Sequence, residues 1–297
     1  MTSWQTRAVR LYLRATRKKR YRTVEAGRRS LVHALPAAPV PEELAGRVRS
    51  DPVGGGEVVT VRPADGADLA PDGGVLVHLH GGAFVNGIMP QHWSFVGGLA
   101  DRTGRVVHVA RYPLAPAHSV DDAHAFLAAL VDHLGGTPVH VLGDSAGGNL
   151  ALLLAQRHPD AHVVGLTLVA PWVDLAMDNP AMDAVERRDP WLTRVGMRPI
   201  AAHWLAGRDA KDPDASPLHG DLSGLPPTLV LVGDRDICRP DCDRLATLAR
   251  DAGSDVELHV EAGSPHVYPL LPTPEGARAR EQVVRHVRRS FEAPVSG

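Results

Sequence analysis

At 297 residues, with 44% hydrophobic and 22% charged residues, the chain has the composition of a soluble globular protein, long enough for one large α/β domain or two small ones. A formal net charge of -2 excludes an overall attraction to nucleic acid or an acidic partner, and no apolar run approaches the roughly 18 residues a membrane span needs. Two cysteines four positions apart, Cys238 and Cys242, make neither a disulfide framework nor, without a neighbouring histidine cluster, a zinc site.

The N-terminal segment is the most biased. Arg7, Arg10, Arg14, Arg17, Lys18, Lys19, Arg20 and Arg22 come with no acidic residue among them, while Trp4, Ala8, Leu11 and Ala15 recur at helical spacing. The expectation is a helix that lays this apolar stripe on its own domain, and the alternative is a helix lying on a membrane surface. Charges interrupt the segment too often for the apolar region of a signal peptide, so a cytoplasmic protein is expected.

Further on, "EVVTVRP" (57–63) predicts an edge strand before a glycine-rich turn at 72–74. From Val75 to Val260 short apolar runs alternate with helical patterns, the mark of a mostly parallel sheet covered by helices. "VLVHLH" (75–80), "RVVHVA" (105–110), "PVHVLG" (138–143), "VVGLTLVA" (163–170), "PTLVLVG" (227–233) and "DVELHVE" (255–261) read as strands. Residues 120–134, 145–158, 239–253 and 275–291 read as helices. Two regions break the alternation, 1 to about 45 and about 175–215. Strandless segments of that length usually carry lids or binding loops, so both are expected to form a cap on a single domain spanning 1–297.

Three motifs fall at strand ends. In "GDSAG", Ser145 follows the strand 138–143 and opens a helix, with Gly143 and Gly147 as the small neighbours a strained, exposed nucleophile requires. A serine there is also an ordinary helix cap, so the motif alone is weak. "HGGAF" (80–84) follows the strand 75–80, and consecutive glycines allow backbone N–H groups to face a developing oxyanion. Gly81 and Gly82, with Ala146 after the nucleophile, are the expected oxyanion donors. "GDRDIC" after the strand 227–233 offers Asp234 and Asp236, and "EAGSPHVYP" after the strand 255–261 offers His266. In the order serine, acid, histidine, His266 would take the Ser145 proton and Asp236 would hold the imidazole. His78, His108, His140 and His259 lie within strands and read as structural, whereas His80 reads as orienting the oxyanion loop.

Together these segments, with "RYPLAPAHSVDDA" (111–123), resemble the hormone-sensitive lipase family of α/β-hydrolases, the bacterial group IV esterases. The resemblance runs from about residue 75 to the C-terminus. It implies an α/β-hydrolase fold with a mostly parallel central sheet and a helical cap, and a Ser145–His266–Asp236 triad in which Asp236 rather than Asp234 is the acid. It further implies a carboxylesterase acting on short- to medium-chain acyl esters through an acyl-enzyme, with no cofactor and no metal. Pro113, where the family usually has arginine, and Cys238, where leucine is usual, replace no triad member. An amidase or formamidase-type activity, action on lipid, and a non-catalytic binding protein remain as alternatives. The expected partner is a small-molecule ester, not nucleic acid; a homodimer is left open. Trp4, Trp172, Trp191, Trp204, Phe84, Phe95 and Tyr268 are candidate pocket walls, and Asp174 and Asp189 are expected to cap helices, with contact to a polar group of the substrate as the alternative.

Overall fold

The computed structural model describes residues 2–292. Eight strands form one sheet: β1 (Val48–Val53), β2 (Gly56–Val61), β3 (Val75–Leu79), β4 (Val107–Arg111), β5 (Val139–Asp144), β6 (Val163–Val169), β7 (Thr228–Gly233) and β8 (Val256–Glu261). Their order is β1-β2-β4-β3-β5-β6-β7-β8; β1 pairs β2 and β2 pairs β4 antiparallel, and every other pair is parallel. Every residue of β5 and β7 is buried, as parallel strands covered on both faces must be.

The helices are α1 (Trp4–Thr16), α2 (Val24–Val32), α3 (Glu42–Ala45), α4 (Pro90–Thr103), α5 (Val120–Leu134), α6 (Ala146–Arg157), α7 (Met182–Glu186), α8 (Arg194–Trp204), α9 (Arg239–Asp251) and α10 (Pro274–Glu292). Among the described residues, none is long and apolar enough to cross a membrane. Chain order reverses around β3, which lies between β4 and β5. This leaves a crevice beyond the carboxyl ends of β3 and β5, where ligands bind in open α/β sheets.

The strand predicted at 57–63 is not at the edge: β1 lies outside it. The two are joined by Gly54 and Gly55, whose φ values of 50° and 79° suit a tight hairpin turn matching the strand twist. With Arg49, Asp51 and Pro52, β1 lacks an apolar alternation, and an outermost strand tolerates a proline.

The two strandless regions meet. A Cβ on Gly27 of α2 would lie 2.1 Å from the Gly196 carbonyl oxygen of α8, and one on Gly196 would lie 2.1 Å from the Tyr21 carbonyl oxygen. Only glycine permits so close an approach. The Thr193 hydroxyl, N-cap of α8, also donates to the Tyr21 carbonyl.

The docking of α1 departs from expectation. The core takes its opposite side, Thr6 and Leu13, whereas Trp4, Ala8, Leu11 and Ala15 are exposed. The anchor is polar: Glu275, at the start of α10 and 1% exposed, accepts from Ser3 N, Ser3 Oγ and Thr6 Oγ1 at 2.6, 2.7 and 2.7 Å.

Candidate active site

Ser145 occupies the sharp turn between β5 and α6 with φ 53° and ψ -117°, a strained conformation for a residue with a side chain. Its neighbours explain why the turn can exist. A Cβ on Gly143 would meet the Gly147 carbonyl oxygen at 2.2 Å, and one on Gly147 would meet the Leu79 carbonyl oxygen at 2.0 Å. Although Ser145 stands at the helix N-cap, its hydroxyl makes no capping bond. It lies 2.9 Å from His266 Nε2 instead.

The other face of His266 completes the line. Its Nδ1 is 2.9 Å from Asp236 Oδ2, and the second Asp236 oxygen accepts from Cys238 N at 2.9 Å. All three side chains are buried, Ser145 least at 7% exposed. Burial alone would depress the His266 pKa, but the charge and hydrogen bond of Asp236, then the charge of Asp189, outweigh it and leave it above its ordinary value. Asp234 lies on the same loop but accepts from Gly263 N at 2.7 Å, which fixes the loop carrying His266 and keeps Asp234 off the imidazole. Cys238 and Cys242 are free and buried, and burial followed by the Asp236 charge pushes both thiols well up.

The oxyanion assignment needs one correction. Gly81 N–H is spent on the Asp144 carboxylate, 3.0 Å away, and a Cβ there would meet the same carboxylate at 2.2 Å. Among the described residues, Gly82, Ala83 and Ala146 N–H have no acceptor, and Gly82 and Ala83 line the cavity that holds Ser145. Successive positive φ values at Gly82, Ala83 and Phe84 (130°, 57° and 60°) shape this loop. The Gly81–Gly82 pair was the sequence signal; that the free donors begin one residue later depends on the loop's turn.

Behind the loop lies a buried histidine group. Asp144 also meets His92 Nε2 at 3.3 Å and His78 Nε2 at 3.4 Å. His92 Nδ1 accepts from Met89 N, so its proton resides on Nε2, facing Asp144. Burial would raise the Asp144 pKa, but these histidines hold it well below the usual range. His80 stacks on Tyr112 at 4.8 Å, Tyr112 Oη donates to the His80 carbonyl, and burial drives His80 down to about 3, so it serves as a neutral prop.

Asp189 is the residue whose role the sequence understates. It accepts from Trp191 N and Leu192 N as a turn-capping aspartate does, but its other oxygen accepts from Ile237 N at 2.8 Å, next to Asp236. Burial, then the Asp236 charge, pushes its pKa up to about 7. Trp191, on the turn it holds, packs edge-on against His266 with centroids 5.7 Å apart. Asp174 caps no helix; it accepts from Ala176 N in a turn, and its other oxygen lies 3.3 Å from His219 Nε2.

The cavity over Ser145 measures ≈ 820 Å³. Leu13, Tyr21 and Leu35 line it from one strandless region, and Trp191, Leu192 and Met197 from the other. Phe95 also lines it, but Trp172 and Trp204 each stack on Phe84 in the core, Tyr268 is buried, and Trp4 faces outward.

Residues 76–270 match the model of a family described as the alpha/beta hydrolase fold. An acetyl-hydrolase from Streptomyces hygroscopicus is 35% identical over 243 residues, spanning 76% of this chain and 80% of that one. A solved structure of EstE5 soaked with p-nitrophenyl butyrate superposes with a TM-score of 0.81 at 28% identity, covering 98% of this chain and 100% of the other. An esterase from the bacterial hormone-sensitive lipase family superposes with a TM-score of 0.78 at 28% identity, covering 98% and 99%.

Proposed function

The chain belongs to the α/β-hydrolase fold family, and on that premise we propose that it is a carboxylesterase in which Ser145, His266 and Asp236 form the catalytic triad. The observation that carries the assignment is the unbroken line from Ser145 Oγ to His266 Nε2 and from His266 Nδ1 to Asp236, both steps at 2.9 Å. Ser145 attacks the ester carbonyl carbon as His266 takes its proton, and the carbonyl oxygen becomes an oxyanion held by Gly82, Ala83 and Ala146 N–H. His266 returns the proton to the alcohol oxygen as the C–O bond breaks, leaving acyl-Ser145. Water deprotonated by His266 then attacks the acyl carbon, and collapse releases the acid and restores Ser145.

The residues from the two strandless regions act as a cap that shields this chemistry from bulk water. The cavity's volume and its Leu, Met and Trp lining suit a small ester with a short or medium acyl chain. The acetyl-hydrolase and the hormone-sensitive lipase family esterase to which the chain is similar support the same substrate class. The test is turnover of a p-nitrophenyl ester series from acetate to palmitate beside a Ser145→Ala control. Activity is expected to peak at short or medium chains and vanish in the control. A peak at palmitate would refute the substrate class, and an active Ser145→Ala protein would refute the nucleophile.

A further inference from the structure

We infer that the outward face of α1 is a docking surface for an anionic lipid membrane. On a helix advancing about 100° per residue, Trp4, Ala8, Leu11, Tyr12 and Ala15 share one side. That side faces water: Trp4 is 73% exposed, Leu11 70% and Tyr12 55%. These are three of the seven large hydrophobic residues left exposed among the described residues. The exposure is built in, since Glu275 grips Ser3 and Thr6, Arg10 donates to the Gly263 carbonyl, and Leu13 enters the core from the opposite side.

Charge identifies the occupant. The cations from Arg7 to Arg22 form no ion pair with any carboxylate among the described residues, and the first acidic residue of the chain is Glu25. Arg7 and Arg14, both exposed, run along one edge of the apolar stripe, and exposed Lys19 follows just beyond the helix. Unpaired cations beside unburied tryptophan and leucine match a surface that is anionic above and apolar beneath. A second copy of the chain suits the face less well, because a two-fold contact would turn Arg7 and Arg14 toward their own counterparts. Nucleic acid would answer the cations but leave Leu11 without a partner.

The position adds a consequence. Tyr12 sits between the exposed stripe and the cavity, which Val9, Leu13, Arg17 and Arg20 also line. A membrane seated on the stripe therefore lies beside the mouth of the cavity. Delivery of an ester from that membrane rests on the esterase reading above; the docking does not.

The test uses the full chain with vesicles of phosphatidylcholine alone and with an equimolar share of phosphatidylglycerol, read by co-sedimentation and tryptophan emission. Trp93, Trp172 and Trp204 are buried and Trp191 is half-buried in the cavity wall, so the part of a blue shift that disappears when Trp4 is replaced reports on Trp4. The inference predicts binding to the phosphatidylglycerol vesicles only, weakening as salt rises, with a blue shift. Trp4→Ser with Leu11→Ser should weaken binding more than about tenfold, as expected for two apolar side chains withdrawn from lipid. The same variant should turn over dissolved p-nitrophenyl acetate as the parent does, which separates loss of docking from loss of catalysis. No co-sedimentation with either vesicle, or binding untouched by the double substitution, would overturn the inference. So would light scattering showing a dimer that the double substitution dissolves, which would give the face to a second copy.

Discussion

In the proposed mechanism His266 is the base and must be neutral to act; burial would lower its pKa, but the charge and hydrogen bond of Asp236 beside Nδ1 leave it raised. kcat/KM should therefore fall on the acid side with a midpoint above 6.5, the ordinary histidine value. Because the folded pKa is raised, protonated His266 stabilises the fold fully below the unfolded value, and that contribution is lost as pH climbs through the folded one. Asp236→Asn should cut kcat by about 10⁴-fold, in line with other triads, and move the acid midpoint down. Asp189→Asn removes the next charge facing His266 and should move the midpoint the same way by a smaller amount, with a KM change as Trp191 loosens. An unmoved midpoint in a pH–rate profile of that variant would reduce Asp189 to a turn cap. At this scale the sequence was informative about side chains and silent about backbone. Ser145, Asp236 and His266 are brought together, but whether Gly81 N–H is free depends on where the Asp144 carboxylate points.

Elements were legible where apolar periodicity carried them. The six strands from Val75 onward and the helices α5, α6, α9 and α10 lie within two residues of their predicted bounds, because each buries a regular stripe or run. β1 was not legible, since its outer position needs no apolar alternation, and neither was α4, interrupted by Gly97, which passes Leu44, and by Gly98. The face on which α1 docks was misjudged for a related reason: a search for apolar stripes does not register an anchor of Ser3, Thr6 and Glu275. Burial would raise the Glu275 pKa, but its bonds to Ser3 and Thr6 hold it at about 2. A depressed carboxyl stabilises the fold above its unfolded value near 4.5, and that stabilisation is lost as pH falls toward about 2. Glu275→Ala leaves three donors unpaired and should cost about 1–3 kcal/mol. Hydrogen exchange over residues 4–16 should quicken in this variant at neutral pH; unchanged exchange there would mean that Leu13 alone holds the helix.

The whole molecule places four loops, after β3, β5, β7 and β8, at one end of a sheet whose order reverses at β3. That convergence follows from parallel strands joined by right-handed crossovers, so it was legible from the alternation of strand and helix patterns. The meeting of α2 with α8 was not, because Gly27 and Gly196 carry no periodic signal and lie far apart in the chain. The central claim is that the strained serine is acylated and then released by water. Its most direct test is rapid quenching of the protein with p-nitrophenyl butyrate, followed by peptide mass analysis. A butyryl adduct is expected on the peptide carrying Ser145, formed during the burst of p-nitrophenol, lost on further incubation and absent from Ser145→Ala. An adduct on another residue, or a burst that survives in Ser145→Ala, would contradict it.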